Sequence, residues 1–540
     1  MALLLGLWGI RRENSMWRDE SVTYQVAHRE LPDIWRLLGE VDAVHGLYYL
    51  LMKAVFTLWD GGLVALRLPS VLATALAAAG VAAIALRFAG ARAAAFAGTA
   101  FAVVPMVQHY AQEGRSYALV CAAVVWACHL LLRGVEGGGT RVWAAYAGTV
   151  LVAAWLHEFA VLVLAAHGVT LFRSAAPPAA RRAWLIASGA VGAGVLPLAL
   201  VSAGQAEQQL GWLSRPGLGA WLAYLGLSAA GWACARALPT TPARRMPPGD
   251  RARRPPDRTK RPALEQWEQS EPPRESESSG KSVRAGGSMP PGGTGRATSG
   301  ALPPPPPAVR PADLALPLLV VPTGLLMTVS LIKPWYVDRY VLYGTAGLAL
   351  LLGLCLDRAA APAILGRLLP RRPVRIVAVA GCAAGLAAVL LPWSLLVRSP
   401  ESRKDDVVAV AEAVREAAAP GDAVLFMPAR RREWLLSFPD VHAGVEDLAL
   451  RQSPAASATL QGTELPADEI RRRVLAADRV IALTDPEGQP LDASPGEAVK
   501  REVLHAHFRR CAPVRVRGAR IVVYVRTGAC GVRDRPGRPG

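Results

Sequence analysis

LPSVLATALAAAGVAAIAL, residues 68–86, runs for 19 residues without a charge. A helix needs about 20 predominantly apolar residues, within a range of about 17 to 25, to cross a bilayer core, so this stretch reads as a membrane span. Working outward, comparable runs lie at 93–110, 116–133, 183–203, 217–235, 313–332, 340–357 and 375–397. The chain has 540 residues, 52% of them apolar, and no soluble core of this size needs such blocks. A formal charge of +18 is compatible with a nucleic-acid binder. The arginines, however, fall in short clusters between apolar runs and in one Pro-rich insert, which is how a membrane protein carries its inside-positive loops. No nucleic-acid partner is expected.

Loop charge decides the stretch 142–172, which is too long for one span, short for two, and interrupted by His157-Glu158. Arg87 and Arg92 follow the first span, Arg133 and Arg141 the third, Arg173, Arg181 and Arg182 the ambiguous stretch, and Arg367, Arg371, Arg372 and Arg375 the penultimate span. All four clusters are cytoplasmic only if 142–172 crosses twice, with His157-Glu158 at the outer turn. The expected fold class is therefore an α-helical polytopic membrane protein of about 10–11 transmembrane helices with a small C-terminal extracytoplasmic α/β domain. Residues 11–66, HYAQEGRSY, HEF, SAGQAEQQLGWLSRPG, KPWYVDRY and everything after Val397 face outward on this reading. MALLLGLWGI offers half a span before Arg11-Arg12, and the loop 11–66 needs an anchoring helix, so residues upstream of Met1 are expected.

Four segments follow. Residues 1–236 form the first part of the membrane core, and 313–397 its last three helices. Residues 237–312, rich in Pro, Arg, Ser, Glu and Gly, read as a disordered cytoplasmic linker that cannot bury enough apolar surface to fold. Residues 398–540 alternate amphipathic helix (DDVVAVAEAVREAAA), strand (AVLFM), helix (ADEIRRRVLAA), strand (RVIAL), helix (GEAVKREVLHAHF) and hairpin, the pattern of an α/β domain. That domain is expected to help bind acceptor or partners, or merely to cap the core. Cys511 and Cys530 bracket the hairpin, and outside the cytoplasm they are expected to form a disulfide.

Chemistry concentrates in the outward loops. WRDES places Asp19 and Glu20 side by side before an amphipathic helix, where helix capping plus a solvated Glu explains the pair equally well. Asp42 and His45 open a second, aromatic-rich helix. Arg115 (QEGRSYAL) and Arg339 (PWYVDRYVLY) sit at outer helix ends, against the inside-positive tendency. Either they snorkel, or, with Lys333 and Tyr340, they neutralise the phosphate of a lipid carrier. A carboxylate opposite a cation-bound phosphoryl leaving group is the minimal equipment for glycosyl transfer. A transporter or flippase of lipid-linked sugars places its carboxylates inside the spans instead. A non-catalytic envelope scaffold needs neither.

The order WRDES, VDAVHGLYYLLMK, LRLPSVLA, VPMVQHYAQEGRSYAL and PWYVDRY resembles the GT-C superfamily, specifically bacterial glycosyltransferase family 39. That group is similar to protein O-mannosyltransferases and lipid A aminoarabinose transferases. The resemblance covers about residues 14–400 and implies an inverting, multi-pass transferase of the cell membrane. It would move a sugar, often mannose, from a polyprenyl-phosphate donor to an extracytoplasmic acceptor. It implies Asp19, with Glu20 beside it, as the base, and matches Arg115, Tyr336, Arg339 and Tyr340 to the family's motifs; Arg115, Arg339, Tyr340 and Lys333 are the residues expected to bind the donor phosphate. Asp42, His45, Tyr336, His157 and Glu158 remain for sugar and acceptor. Many relatives carry His-Pro-Pro where this chain has His45-Gly46-Leu47. Asp42, His45, His157 and Glu158 have no metal-ligand spacing, and no cofactor is expected.

Overall fold

The computed structural model describes residues 1–211, 213–238, 308–361, 372–419, 421–527 and Cys530. The described residues form one compact unit. The expected linker 237–312 lies outside the described residues except at its two ends.

The membrane part is built from α1 (Ala2–Leu7), α2 (Arg18–Ala27), α3 (Leu31–Glu40), α4 (Gly46–Leu58), α5 (Gly62–Ala89), α6 (Ala91–Val103), α7 (Pro105–Ala111), α8 (Tyr117–Val135), α9 (Thr140–Leu156), α10 (Val163–Arg173), α11 (Pro178–Leu210), α12 (Leu218–Ala237), α13 (Pro311–Val329), α14 (Gly344–Ala359) and α15 (Arg372–Leu396). All ten expected spans fall on helices. Among the described residues five helices, α5, α8, α11, α12 and α13, are long and apolar enough to cross a membrane, and α6 with α7 forms a sixth as a pair bent by 68°. The bend is Pro105, which has no N–H to continue α6 and starts α7 at its first position.

Helices α9 and α10 are 17 and 11 residues long. His157 is extended, and a 3-10 turn over Glu158–Leu162 follows it. The Tyr146 hydroxyl meets His167 Nδ1 at 2.9 Å, so the chain reverses at that turn, and α10 goes on to pack chiefly against α13. Small residues let the helices close: a Cβ at Gly353 of α14 would strike the Ala97 backbone of α6, and one at Gly347 the Ala315 carbonyl of α13.

The C-terminal domain is a three-layer α/β unit. Its sheet order is β2 (Val445–Asp447), β1 (Asp422–Met427), β5 (Arg479–Thr484), β8 (Ala519–Val525), β6 (Arg509–Arg510), with β7 (Val514–Val516) also on β8. β1 runs parallel to β2 and β5, whereas β8 is antiparallel to β5. β3 (Leu450–Gln452) and β4 (Thr463–Glu464) make a separate ribbon. Strand residues alternate between faces. Val424, Phe426, Ile481 and Leu483 pack with α16 (Val407–Ala417), beyond which lies the short α17 (Pro439–Ala443). Ala423, Leu425, Val480 and Ala482 pack with α18 (Ala467–Ala476) and α19 (Pro495–His507). Burial on both faces is why AVLFM and RVIAL read as continuous apolar runs. Asp406 caps α16 by accepting from the N–H groups of Val408 and Ala409. Cys511 is disulfide-bonded to Cys530.

Backbone hydrogen bonds join this domain to the start of the first loop. Val407 N donates to the Met16 carbonyl at 2.7 Å, and Arg18 N donates to Asp405 Oδ1 at 2.7 Å. Ser21 Oγ lies 2.7 Å from Ser437 Oγ.

Candidate active site

α2 begins at Arg18 because Trp17 is extended (φ −94°) and the chain turns helical beyond it. That places Asp19 in the first helical turn at the wall of a cavity of about 530 Å³. Four further segments bring the remaining walls: Asp42 and His45 before α4, Arg115 and Tyr117 before and at the start of α8, His157 and Glu158 after α9, and Arg339 and Tyr340 before α14. Glu433, Arg430 and residues 458–461 close it from the C-terminal domain.

Asp19 lies between cations, 3.6 Å from Arg18 Nε and 3.8 Å from Arg339 Nη2. Burial pushes its carboxyl up, but Arg115, Arg18 and Arg339 together hold it below the usual range, so it is ionised at neutral pH. Arg339 Nε donates to the Tyr117 hydroxyl at 3.0 Å, and its guanidinium lies 5.6 Å from the Tyr117 ring centre and 5.5 Å from that of Tyr340. Arg115 is buried; its Nη1 donates to Thr23 Oγ1 at 3.3 Å, while Nε has no hydrogen-bond partner among the described residues. Two cations with spare donors, held by packing rather than by bidentate carboxylates, suit a phosphate.

Asp42 has φ 65°, in the left-handed region, which Asp tolerates better than most residues. Its carboxyl accepts from the Tyr49 hydroxyl and stands 3.8 Å from His45 Nε2. Burial raises the Asp42 carboxyl and pushes both imidazoles, His45 and His157, well below their usual range. The two rings are therefore neutral at pH 7, 5.9 Å apart, and each has a buried Nδ1 without a hydrogen-bond partner among the described residues. Neutral rings and carboxyls with open positions hydrogen-bond hydroxyl groups. The wall beside them is aromatic: His157 lies 4.4 Å and Phe159 5.4 Å from Tyr340. Glu158 accepts from Ser202 Oγ at 2.6 Å.

Three expected site residues lie elsewhere. Glu20, next to Asp19 in sequence, points the other way and is fully buried. Its Oε1 accepts from Arg67 Nε (2.7 Å) and Gly114 N (3.0 Å), and its Oε2 from Arg67 Nη2 (2.7 Å) and Arg12 Nη1 (3.2 Å). A carboxylate so occupied cannot take a substrate proton, and the expected catalytic role of Glu20 is corrected to a structural one. Lys333 is exposed and Tyr336 packs against the helical core; neither lines the cavity. Helix periodicity shows the reason for the first error: consecutive residues of a helix differ by about 100° in direction, so adjacency separates Asp19 from Glu20.

Sequence reasoning missed Arg18, Tyr117, Glu433 and the segment 458–461. Arg18 and Tyr117 adjoin motifs already singled out. Nothing in the sequence marks Glu433 or 458–461, which reach the cavity only because the C-terminal domain docks on α2. The segment is held from both sides: Arg29 Nη1 donates to the Thr459 carbonyl at 3.0 Å, and Arg432 Nη1 to the Gln461 carbonyl at 3.0 Å. Substituting Arg29 with Ala should raise amide exchange across residues 453–462 about tenfold, the loss of roughly 1.4 kcal/mol expected for one charged hydrogen bond. Unchanged exchange would mean Arg432 holds the segment alone. Among the described residues no group of three or more His, Cys, Asp or Glu is placed to bind a metal ion.

A polytopic helical core with an α/β domain closing a polar cavity is an arrangement this chain shares with solved structures. The crystal structure of ArnT from Cupriavidus metallidurans bound to undecaprenyl phosphate superposes with a TM-score of 0.55, covering 99% of this chain and 98% of that one at 14% identity. ArnT from the same organism in the apo state gives a TM-score of 0.53 over 94% and 93% of the two chains, again at 14% identity. No family model matches the sequence, and no curated protein does.

Proposed function

We propose that the protein is an inverting glycosyltransferase that takes a sugar from a polyprenyl-phosphate donor on the extracytoplasmic face of the membrane, the face that carries the C-terminal domain. The observation that carries this reading is Asp19 set among Arg18, Arg115 and Arg339 at the wall of one cavity. The ArnT structure bound to undecaprenyl phosphate supports the choice of donor, because that protein has the same fold.

In the proposed reaction, an acceptor hydroxyl attacks the anomeric carbon from the side opposite the phosphate. The new C–O bond forms as the bond to the phosphate oxygen breaks, and the electron pair leaves with polyprenyl phosphate. Arg115 and Arg339 stabilise the added charge, and Asp19 accepts the hydroxyl proton. His45, His157, Asp42 and Glu158 hold the sugar hydroxyls. We propose mannose as the sugar, on the resemblance to family 39.

The test is incubation of the purified protein in lipid with labelled polyprenyl-phosphate sugars and native envelope fractions, followed by analysis of the donor consumed and the product labelled. Movement of the donor across the bilayer without a glycosidic product would overturn the assignment in favour of a flippase. Arg115→Ala should weaken undecaprenyl phosphate binding at least about tenfold, the cost of a charged hydrogen bond at roughly 1.5–3 kcal/mol. Binding unchanged in a titration would remove Arg115 from the phosphate site.

A further inference from the structure

Among the described residues, Glu433 is the one acidic group that the C-terminal domain contributes to the cavity. It lies in the 3-10 segment Ala429–Trp434, which follows β1 and packs on α2. Its backbone carbonyl accepts from Ser21 Oγ at 3.3 Å, so the residue is tied to the helix that carries Asp19. The residue is 8% exposed and lines the cavity, yet its carboxyl makes no hydrogen bond or ion pair among the described residues.

Its neighbours explain why that matters. The cations on this side already have partners: Arg18 is paired with Asp19, and Arg430 with Asp485 at 2.6 Å. Asp19 and Asp42 face Glu433 as like charges. Burial pushes the Glu433 carboxyl up to about 7 against the pull of Arg18, with Asp42 and Asp19 adding to the rise. An unpaired carboxyl in a desolvated wall is costly unless an arriving group donates to it.

The phosphate-binding arginines, Arg115 and Arg339, come from the membrane part. Glu433 and residues 458–461 come from the opposing domain. The two substrates of a transfer therefore have two chemically distinct poles available.

We infer that Glu433 binds the acceptor, receiving a hydrogen bond from its hydroxyl groups, so that the transfer site is complete only with the C-terminal domain docked. This rests on the transferase reading above. An anionic attacking group such as a phosphate is disfavoured at this pole, where it would meet Glu433, Asp19 and Asp42 together. The product should accordingly be a glycoside of a hydroxyl. Such a bond survives mild acid that cleaves a glycosyl phosphate.

The test uses the full chain in liposomes, with labelled polyprenyl-phosphate sugar as donor, an envelope fraction as acceptor, and undecaprenyl phosphate as the binding probe. For Glu433→Gln, the apparent KM for the envelope acceptor should rise at least tenfold, while the donor KM and the affinity for undecaprenyl phosphate stay within twofold. Glu433→Asp should recover part of the loss. The product should resist the mild acid that destroys the donor.

Unchanged acceptor KM in Glu433→Gln, or a parallel loss of undecaprenyl phosphate affinity, overturns the inference, as does a fall in kcat with both KM values unchanged. A product as acid-labile as the donor overturns the hydroxyl assignment. A wild-type protein that binds undecaprenyl phosphate but transfers nothing overturns the transferase reading, and this one with it.

Discussion

Replacing Asp19 with Asn is expected to lower sugar transfer by roughly 10²–10⁴-fold, the span of general-base contributions, with the protein still folded and inserted. The geometry explains both halves of that expectation. The Asp19 side chain is 17% exposed and makes only long contacts, 3.6 Å to Arg18 and 3.8 Å to Arg339. Little of the fold depends on its charge. The same three arginines that keep it ionised also make it a weak base in the empty cavity. Donor binding sharpens the role, because a phosphate drawing on Arg115 and Arg339 releases some of their hold on the carboxylate. Transfer rates measured beside undecaprenyl phosphate affinity separate the effects: affinity should be kept or increased while transfer is lost. A fully active Asp19→Asn variant would falsify the assignment.

Replacing the neighbouring Glu20 with Ala is expected to destabilise the protein by roughly 3–5 kcal/mol, the cost of stranding buried partner charges. Arg12 and Arg67 are both fully buried and share this one carboxylate. Arg67 also donates to the carbonyls of Ile10 (2.7 Å) and Ser15 (2.6 Å), so the charge cluster ties the N-terminal segment to α5. Glu113 and Arg403, 3.3 Å apart, extend it to the loop after α7 and the chain entering the C-terminal domain. Burial pushes the Glu20 carboxyl up, but Arg67 and Arg12 hold it far below its usual range. Its folded-state value is depressed, so its contribution is present at neutral pH and is lost only as pH falls below the ordinary carboxylate range. Thermal unfolding in detergent reads the loss directly. An unchanged midpoint for Glu20→Ala would show that the cluster does not depend on this carboxylate. Two adjacent acids thus predict opposite phenotypes, one a folded inactive protein and the other an unstable one.

Much of the frame was legible in the chain. Each run such as 68–86 exceeds the length a bilayer requires, and that requirement is local, because a helix satisfies its own backbone wherever it is placed. The short apolar runs AVLFM and RVIAL are local signals too, and both are strands of the C-terminal sheet. The short strands β2, β3 and β4 were not legible, since two or three residues carry no period. Arg115 and Arg339 stood out as cations where loop charge argued against them, and the structure brings both to the cavity. Lys333 is near Arg339 in sequence and Tyr336 belongs to the motif resemblance, and neither proximity nor a motif at a helix end determines the direction of a side chain.

The sequence by itself determined that the chain enters a membrane, that an α/β domain follows the last span, and which loops hold unusual charges. These follow from composition and periods of one element at a time. Only the tertiary structure decided that Asp19 faces the cavity and Glu20 the protein interior, that five separated segments supply one wall each, and that Glu433 closes the site from a different domain. Those outcomes depend on helix rotation and domain docking, which are set by packing between residues hundreds of positions apart.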